Sequence, residues 1–198
     1  MKLLKNKIFL AHGKRSVVYL AKLGSKKVVV KEKRAGSEAI NRMENEAYWL
    51  ERLNKVGIGP KIYSYGIDFV VIDYVPGLRI LDWIPRHGEK KIKVVLLDVL
   101  KQCRKLDGLK VNKEEMHNPY KHIIVKGKKV TLIDFERCRN VRSPQNVTQF
   151  CQFLMSRKLS LMLERKGISF KDMIKVLKDY KKNASEKNFE RIRESLGL

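Results

Sequence analysis

The apolar and polar positions of the chain fall into two rhythms. Between residues 8 and 31 they come in short runs, Ile8–Ala11, Val17–Ala21 and Val28–Lys31. His12-Gly13-Lys14-Arg15-Ser16 and Gly24-Ser25 separate the runs. Branched and aromatic residues in runs of this length, broken by glycine turns, predict a three-stranded meander. Over residues 37–56 the period changes. Ile40, Met43, Ala47, Leu50 and Leu53 recur at three- and four-residue intervals behind a capping Ser37, which predicts a helix. Val56-Gly57-Ile58-Gly59-Pro60 ends it. Two more strands are expected at Lys61–Tyr65 and Phe69–Tyr74, and Val75-Pro76-Gly77 then breaks the chain.

Beyond that break the helical period dominates. A short helix opens at Leu81–Trp83, and Lys91–Lys105 carries Ile92, Val95, Leu96, Val99 and Leu100 on one face. Ile123–Val125 and Val130–Ile133, joined by Lys126-Gly127-Lys128-Lys129, read as an embedded hairpin. Ser143-Pro144 reads as the N-cap and first position of a helix that carries Val147, Phe150, Cys151 and Leu154. Ser169-Phe170-Lys171-Asp172 resembles a capping box for a helix to about Lys182, and a last helix covers Ser185–Leu196. The expected class is α+β. Residues 1–75 form an antiparallel β region with one helix, and residues 76–198 form a mostly helical region.

Charge changes the picture. Forty-four Lys and Arg against 21 Asp and Glu leave a net +23. An excess of that size points to a polyanion partner, an acidic membrane surface or adaptation of a whole proteome. Heat adaptation raises Glu together with Lys, so the unbalanced excess favours nucleic acid. Cys103, Cys138 and Cys151 are odd in number and contain no Cys-x-x-Cys pair, which suits a reducing compartment and neither a disulfide frame nor a zinc site. Met1–Ala11 is interrupted by Lys2, Lys5 and Lys7, unlike a secretory signal. No run reaches the roughly 20 apolar residues that span a bilayer. A cytoplasmic monomer with no membrane partner is expected.

The candidate chemistry gathers around the hairpin. Folding it about Lys128 sets position 122 opposite position 134, so His122 and Asp134 leave the same end, with His117 and Glu115 in the loop that feeds it. A carboxylate at the exit of a buried strand is costly unless it is paired or metal-bound. Asp134 therefore reads as a strand-end ion pair or a metal ligand, and the two histidines and second carboxylate favour the ligand. Lys31, closing a Val-Val-Val run, either snorkels or meets an anion. The turn holding Gly13, Lys14, Arg15 and Ser16 offers backbone amides and cations to a phosphate.

Taken in order over about residues 8–155, these features resemble the protein-kinase-like fold in its small, atypical RIO-like form. The resemblance implies two lobes, an N-lobe over 1–75 and a C-lobe over 76–198. It places Gly13, Lys14 and Ser16 in the nucleotide loop, Lys31 on the nucleotide phosphates and Glu46 as its helix partner. Asp73 and Val75 fall in the adenine-reading hinge, and Asp134 of Asp134-Phe135-Glu136 on the metal. The implied cofactors are ATP and Mg²⁺ (or Mn²⁺). The catalytic loop departs from the family: His122 stands where Asn is usual, His117 where the catalytic Asp is usual, and Glu115 where the first His is usual. His117 or Glu115 would take the hydroxyl proton. His122 would contact phosphate or a second metal.

Glu115-Met116-His117-Asn118-Pro119-Tyr120-Lys121-His122, together with Asp134-Phe135-Glu136-Arg137-Cys138, is more specific. It resembles the archaeal tRNA kinase family of small Ser/Thr-kinase-like proteins. That resemblance implies transfer of the γ-phosphate of ATP to the 2′-hydroxyl of an internal tRNA nucleotide, a uridine of the variable loop. A RIO-like protein Ser/Thr kinase is the alternative. Eight residues separate Phe135 from Pro144 and no Ala-Pro-Glu follows, so a peptide-docking segment is missing. Arg137, Arg139 and Arg142, with Lys126 and Lys128 on the hairpin turn, are the expected RNA contacts. Lys171, Lys175, Lys178, Lys181 and Lys182 add a helical stripe of positive charge.

Overall fold

A computed structural model describes residues 4–13, 15–34 and 41–198. The chain divides into two compact units, Met1–Pro76 with Thr131–Cys138, and Gly77–Val130 with Arg139–Leu198. The class is α+β, with a five-stranded antiparallel sheet at the N-terminal end and a mostly helical C-terminal part.

In the first unit the expected meander is β1 (Leu4–His12), β2 (Ser16–Leu23) and β3 (Lys26–Lys33). Helix α1 (Arg42–Asn54) follows, then β4 (Ile62–Tyr65) and β5 (Phe69–Asp73). The sheet order is β1-β2-β3-β5-β4, so β3 is central. Its register sets Val28 opposite Asp73, Val30 opposite Val71 and Lys31 opposite Val70. Alternation along β3 sends Val28 and Val30 into a cluster with Ala21 and Val71, and sends Lys31 to the other face. Helix α1 covers that second face, burying Met43, Ala47, Leu50 and Leu53 along with Glu46. Ser37, the expected cap, and Ile40 lie outside the described residues. The described helix begins after Asn41, whose side chain makes no capping bond. Gly59 closes the connection to β4 at φ +81°, and a Cβ there would stand 2.8 Å from Leu50 Cδ2 and 3.0 Å from Phe135 Cε2. Only glycine meets both demands.

The second unit opens with β6 (Leu78–Arg79), α2 (Ile80–Trp83), a 3-10 turn at Ile84–Arg86 and α3 (Glu89–Gly108). After β7 (Val111–Lys113) come two more 3-10 turns, Glu114–His117 and Pro119–Lys121, and the strand β8 (Ile123–Lys126). Strands β9 (Lys129–Leu132) and β10 (Cys138–Asn140) precede four helices, α4 (Asn146–Leu154), α5 (Arg157–Glu164), α6 (Met173–Lys182) and α7 (Glu186–Ser195). The small sheets run β6-β8-β9 and β10-β7.

The stripe of α3 holds Ile92, Val95, Leu96, Val99, Leu100 and Cys103 fully inside. Each large aliphatic among them contributes roughly 1.5–3 kcal/mol by leaving water. The stripe ends in a buried carboxylate, Asp107. Its Oδ1 accepts from the backbone N of Asn146 at 3.0 Å and from Asn146 Nδ2 at 2.7 Å. Its Oδ2 accepts from Val147 N at 3.4 Å and the Tyr180 hydroxyl at 3.0 Å. Burial pushes the Asp107 carboxyl up, and these donors pull it back only in part.

Two expected helix starts are corrected. Helix α4 begins at Asn146 and not at Ser143-Pro144, because Asp107 receives its first amides and Asn112 Oδ1 receives Gln145 N at 2.9 Å. Helix α6 begins at Met173, after Asp172 in the left-handed region at φ 56°. Ser169 Oγ takes Lys171 N at 3.2 Å and closes a turn ahead of the helix instead of capping it. The last helix, α7, starts where it is expected, and Ser185 caps it, its Oγ accepting from Asn188 N at 3.3 Å. Among the described residues no helix is long and apolar enough to cross a membrane.

Candidate functional site

In the first unit three sequence-predicted residues come together. Lys31 Nζ lies 2.6 Å from Glu46 Oε1, 2.9 Å from Oε2 and 3.3 Å from Asp134 Oδ1. The Glu46 side chain is 0% exposed and that of Lys31 15%. Burial alone lowers the pKa of Lys31, but Asp134 and Glu46, with Glu136 behind them, outweigh it and hold the ammonium above its ordinary range. Lys31 is thus a permanent cation, pinned from beneath by Glu46, with Asp134 on its more open side.

The segment that carries Asp134 is braced by the same helix. Asn45 Nδ2 donates to the carbonyls of Glu136 at 2.8 Å and Cys138 at 3.2 Å. Phe135 N meets Glu46 Oε1 at 3.4 Å, and the Phe135 ring is fully buried on Gly59. Asp134 itself sits at φ 68°, a conformation that Asp and Asn tolerate better than other non-glycine residues. Glu136 lies close enough to feel the cluster. Burial is the largest cause raising its pKa, then Asp134; Lys31 opposes and Glu46 adds to the rise. Three carboxylates therefore gather about Lys31, and Arg42 also acts on Glu136, opposing the rise.

Sequence reasoning overlooked Asn45 and Glu136 as members of this cluster. Asn45 had a visible signal, being a polar residue next to Glu46 on a helix otherwise read for its apolar stripe.

Gly13 N donates to Ser16 O at 2.8 Å, and a Cβ at Gly13 would stand 2.8 Å from Ser16 Oγ, so a glycine closes this turn. Ser16 is buried, and Lys14 lies outside the described residues. Asp73 accepts a hydrogen bond from the Tyr63 hydroxyl, which is pushed up to about 12 chiefly by that bond. Asp73 N donates to Lys61 O at 2.8 Å and Tyr74 N to Lys27 O at 3.2 Å. Both amides are bonded inside the unit, and Val75 follows them as a half-buried residue past the end of β5.

In the second unit His117 ends the first 3-10 turn after β7 and is exposed. Its Nδ1 is 2.6 Å from the Glu114 carbonyl. A carbonyl only accepts, so Nδ1 carries the proton and Nε2 of the neutral ring is left as the acceptor. That is the tautomer a general base needs. Glu115 is placed differently: it is buried, 3.1 Å from Nζ of a fully buried Lys113. Of the two candidate bases, His117 is the one open to solvent. His122 is half-buried, its backbone N bonded to Pro119 O at 2.8 Å. The Lys113–Glu115 pair is absent from the sequence reading, because a strand-to-turn junction brings i and i+2 together where neither period would.

The expected RNA contacts are exposed cations. Lys126 and Lys128 flank Gly127 on the hairpin turn, and Arg142 is exposed ahead of α4. Arg139, 66% exposed, is steered by Glu114 Oε1 at 2.7 Å from its Nε. Arg137 is exposed and belongs to the first unit.

Among the described residues no group of three or more His, Cys, Asp or Glu side chains is arranged to hold a metal ion. Mg²⁺ does not ask for such a cage. It keeps phosphate oxygens and water and takes one or two carboxylates. Asp134, a carboxylate 31% exposed, fits that demand, whereas the His122 nitrogen is a poorer ligand for so hard a cation. No family model matches the chain, and no curated protein matches it.

Proposed function

We propose that the chain is an ATP-dependent RNA kinase with a two-lobed protein-kinase-like fold, related to the archaeal tRNA kinase family, acting on a 2′-hydroxyl of tRNA. The observation that carries the reading is a single one. A lysine on the central strand is gripped by a fully buried helix glutamate and stands 3.3 Å from an aspartate in the left-handed conformation. An ion pair kept only for stability gains little by burial, since desolvation offsets most of the attraction. A lysine so held is suited to a ligand that brings its own negative charge.

In this reading Lys31 binds phosphate oxygens and Glu46 fixes where its ammonium sits. Asp134 would hold Mg²⁺, which neutralises charge on the phosphates when bound. The acceptor hydroxyl oxygen bonds to the γ-phosphorus as the bond to the β–γ bridging oxygen breaks, and ADP leaves. The hydroxyl proton goes to His117 Nε2. His122 makes a phosphate contact. A loose transition state asks mainly for alignment and charge neutralisation, so a histidine in place of the usual aspartate is compatible with the chemistry. The substrate class rests on the net +23 and on exposed Arg137, Arg139, Arg142, Lys126 and Lys128.

The test is incubation with γ-labelled ATP, Mg²⁺ and either total tRNA or a protein extract. Label in RNA that survives alkaline hydrolysis as a 2′-phosphorylated dinucleotide is the expected result. Label in protein alone would make the chain a RIO-like protein kinase. No label in either would remove the kinase reading.

A further inference from the structure

Away from the candidate site, the second unit carries two adjoining cavities on α6. The first, of about 410 Å³, lies where the start of α6 meets the end of α7 and is lined by Lys171, Lys175, Arg191 and Ser195. Asp172 and Glu194 also reach it, so its positive character comes from three cations against two carboxylates. Arg191 is fixed in place by Asp179 at 2.9 Å and Asn188 at 3.2 Å. The second cavity, about 530 Å³, has an apolar floor of Met155, Phe170, Met173 and Ile174. Lys175, Lys178 and Lys182 line it too, three cations against Asp172 and Asp179. Asp172 and Lys175 line both, so the two cavities are neighbours.

Two independent features point to an anion in the first cavity. Helix α6 has no side-chain cap, and its first turn presents the positive end of a ten-residue helix there. Ser195 is only 9% exposed, lines the cavity and has no hydrogen-bond partner among the described residues. Its hydroxyl opens on the cavity, where an anion would accept from it. The second cavity adds the complement. Ile174 is 66% exposed over an apolar floor beside lysines, a surface suited to the face of an unstacked base beside its phosphate.

We infer that α6 and α7 form a docking site for single-stranded RNA, with a backbone phosphate in the Lys171/Arg191/Ser195 cavity and a neighbouring base on the Ile174 floor. The inference rests on the RNA reading of the function and names where the substrate is held away from the reacting hydroxyl. A protein partner would need acidic side chains to match the lysines. It would leave the uncapped helix end and the Ser195 hydroxyl without a purpose, whereas a phosphate uses both.

The experiment measures binding of labelled total tRNA between 50 and 200 mM salt for wild type, Lys175→Ala/Lys178→Ala and Ile174→Ser. All three positions are exposed, so the fold is preserved. The double lysine variant should weaken binding about tenfold or more and lower the salt slope by roughly 1.4, near 0.7 per lost single-strand phosphate contact. Ile174→Ser should weaken binding about fivefold with the slope unchanged, since it removes stacking surface and no charge. Wild-type affinity and slope in both variants would overturn the site. So would loss of binding to anionic lipid vesicles with tRNA binding intact, which would give the patch to a membrane surface. Labelling with γ-labelled ATP separates this site from the kinase reading. Unlabelled tRNA that still binds in an α6-dependent way retains the site and removes the kinase. Labelled tRNA with wild-type KM in both variants retains the kinase and removes the site.

Discussion

The ammonium of Lys31 and the carboxylate of Glu46 meet through two contacts, 2.6 and 2.9 Å, and the Glu46 side chain has no access to water. The pair is therefore unequal under mutation. Lys31→Met leaves a sealed carboxylate without its cation and should cost about 3–5 kcal/mol in urea denaturation at neutral pH. Glu46→Gln leaves Lys31 beside Asp134 and should cost less. A loss below about 1 kcal/mol for Lys31→Met would mean that Glu46 finds solvent.

Asp134 separates charge from backbone. At φ 68° an Asn is accommodated, while an Ala carries a left-handed penalty of about 1–2 kcal/mol. Asp134→Asn should unfold within about 1 kcal/mol of wild type and Asp134→Ala should be the less stable of the two. Both should lose Mg²⁺-dependent phosphoryl transfer, and turnover by the Asn variant would remove the metal assignment.

Glu136 gives a pH dependence. Its folded pKa is raised, first by burial and then by Asp134, so ionising it works against the folded state once pH climbs above the ordinary glutamate value. Glu136→Gln removes that penalty. Melting temperature should rise relative to wild type at pH 7–8 and match wild type near pH 4. An equal gain at both pH values would show that charge is not the cause.

His117 has its Nδ1 proton committed to the Glu114 carbonyl. His117→Ala should lower turnover by about 10²–10⁴ with nucleotide affinity unchanged. A drop of less than tenfold would reduce the residue to positioning.

Asp107 accepts four hydrogen bonds that tie α4 and Tyr180 to the end of α3. Asp107→Ala strands buried donors and should cost about 3–5 kcal/mol in chemical denaturation, more than any single surface charge. Stability within about 1 kcal/mol of wild type would show that water replaces the carboxylate.

The same residue shows where sequence reading ends. Strands β2, β3 and β5 and the stripe of α3 are legible because burial sets their apolar positions, whereas β1, exposed along its whole length, is legible only from its apolar run and the glycine turn after it. The start of α4 is not, because its cap arrives from Asp107, thirty-nine positions earlier. Helix α5 is missed because it buries only Leu159 and Leu163, too sparse for a recognisable stripe. Strands β6, β7 and β10 have two or three residues each and carry no period at all. In the candidate site, Lys31, Glu46 and Asp134 stand out by their place at the ends or faces of apolar runs. Glu115 reads as a free carboxylate until Lys113 is found buried against it.

Thr131–Cys138 belongs to the unit built by the first 76 residues, although 54 residues of the other unit intervene. Asp134 reaches Lys31 across a sequence separation of 103. During synthesis, then, the ribosome releases Lys31 and Glu46 long before their third charge exists. A nascent chain halted at Pro76 would hold the sheet and α1 with Gly59 facing an empty seat for the Phe135 ring. Truncation at that point should yield a sticky, incomplete half, and a lone copy of residues 131–138 supplied in trans is the natural piece to heal it.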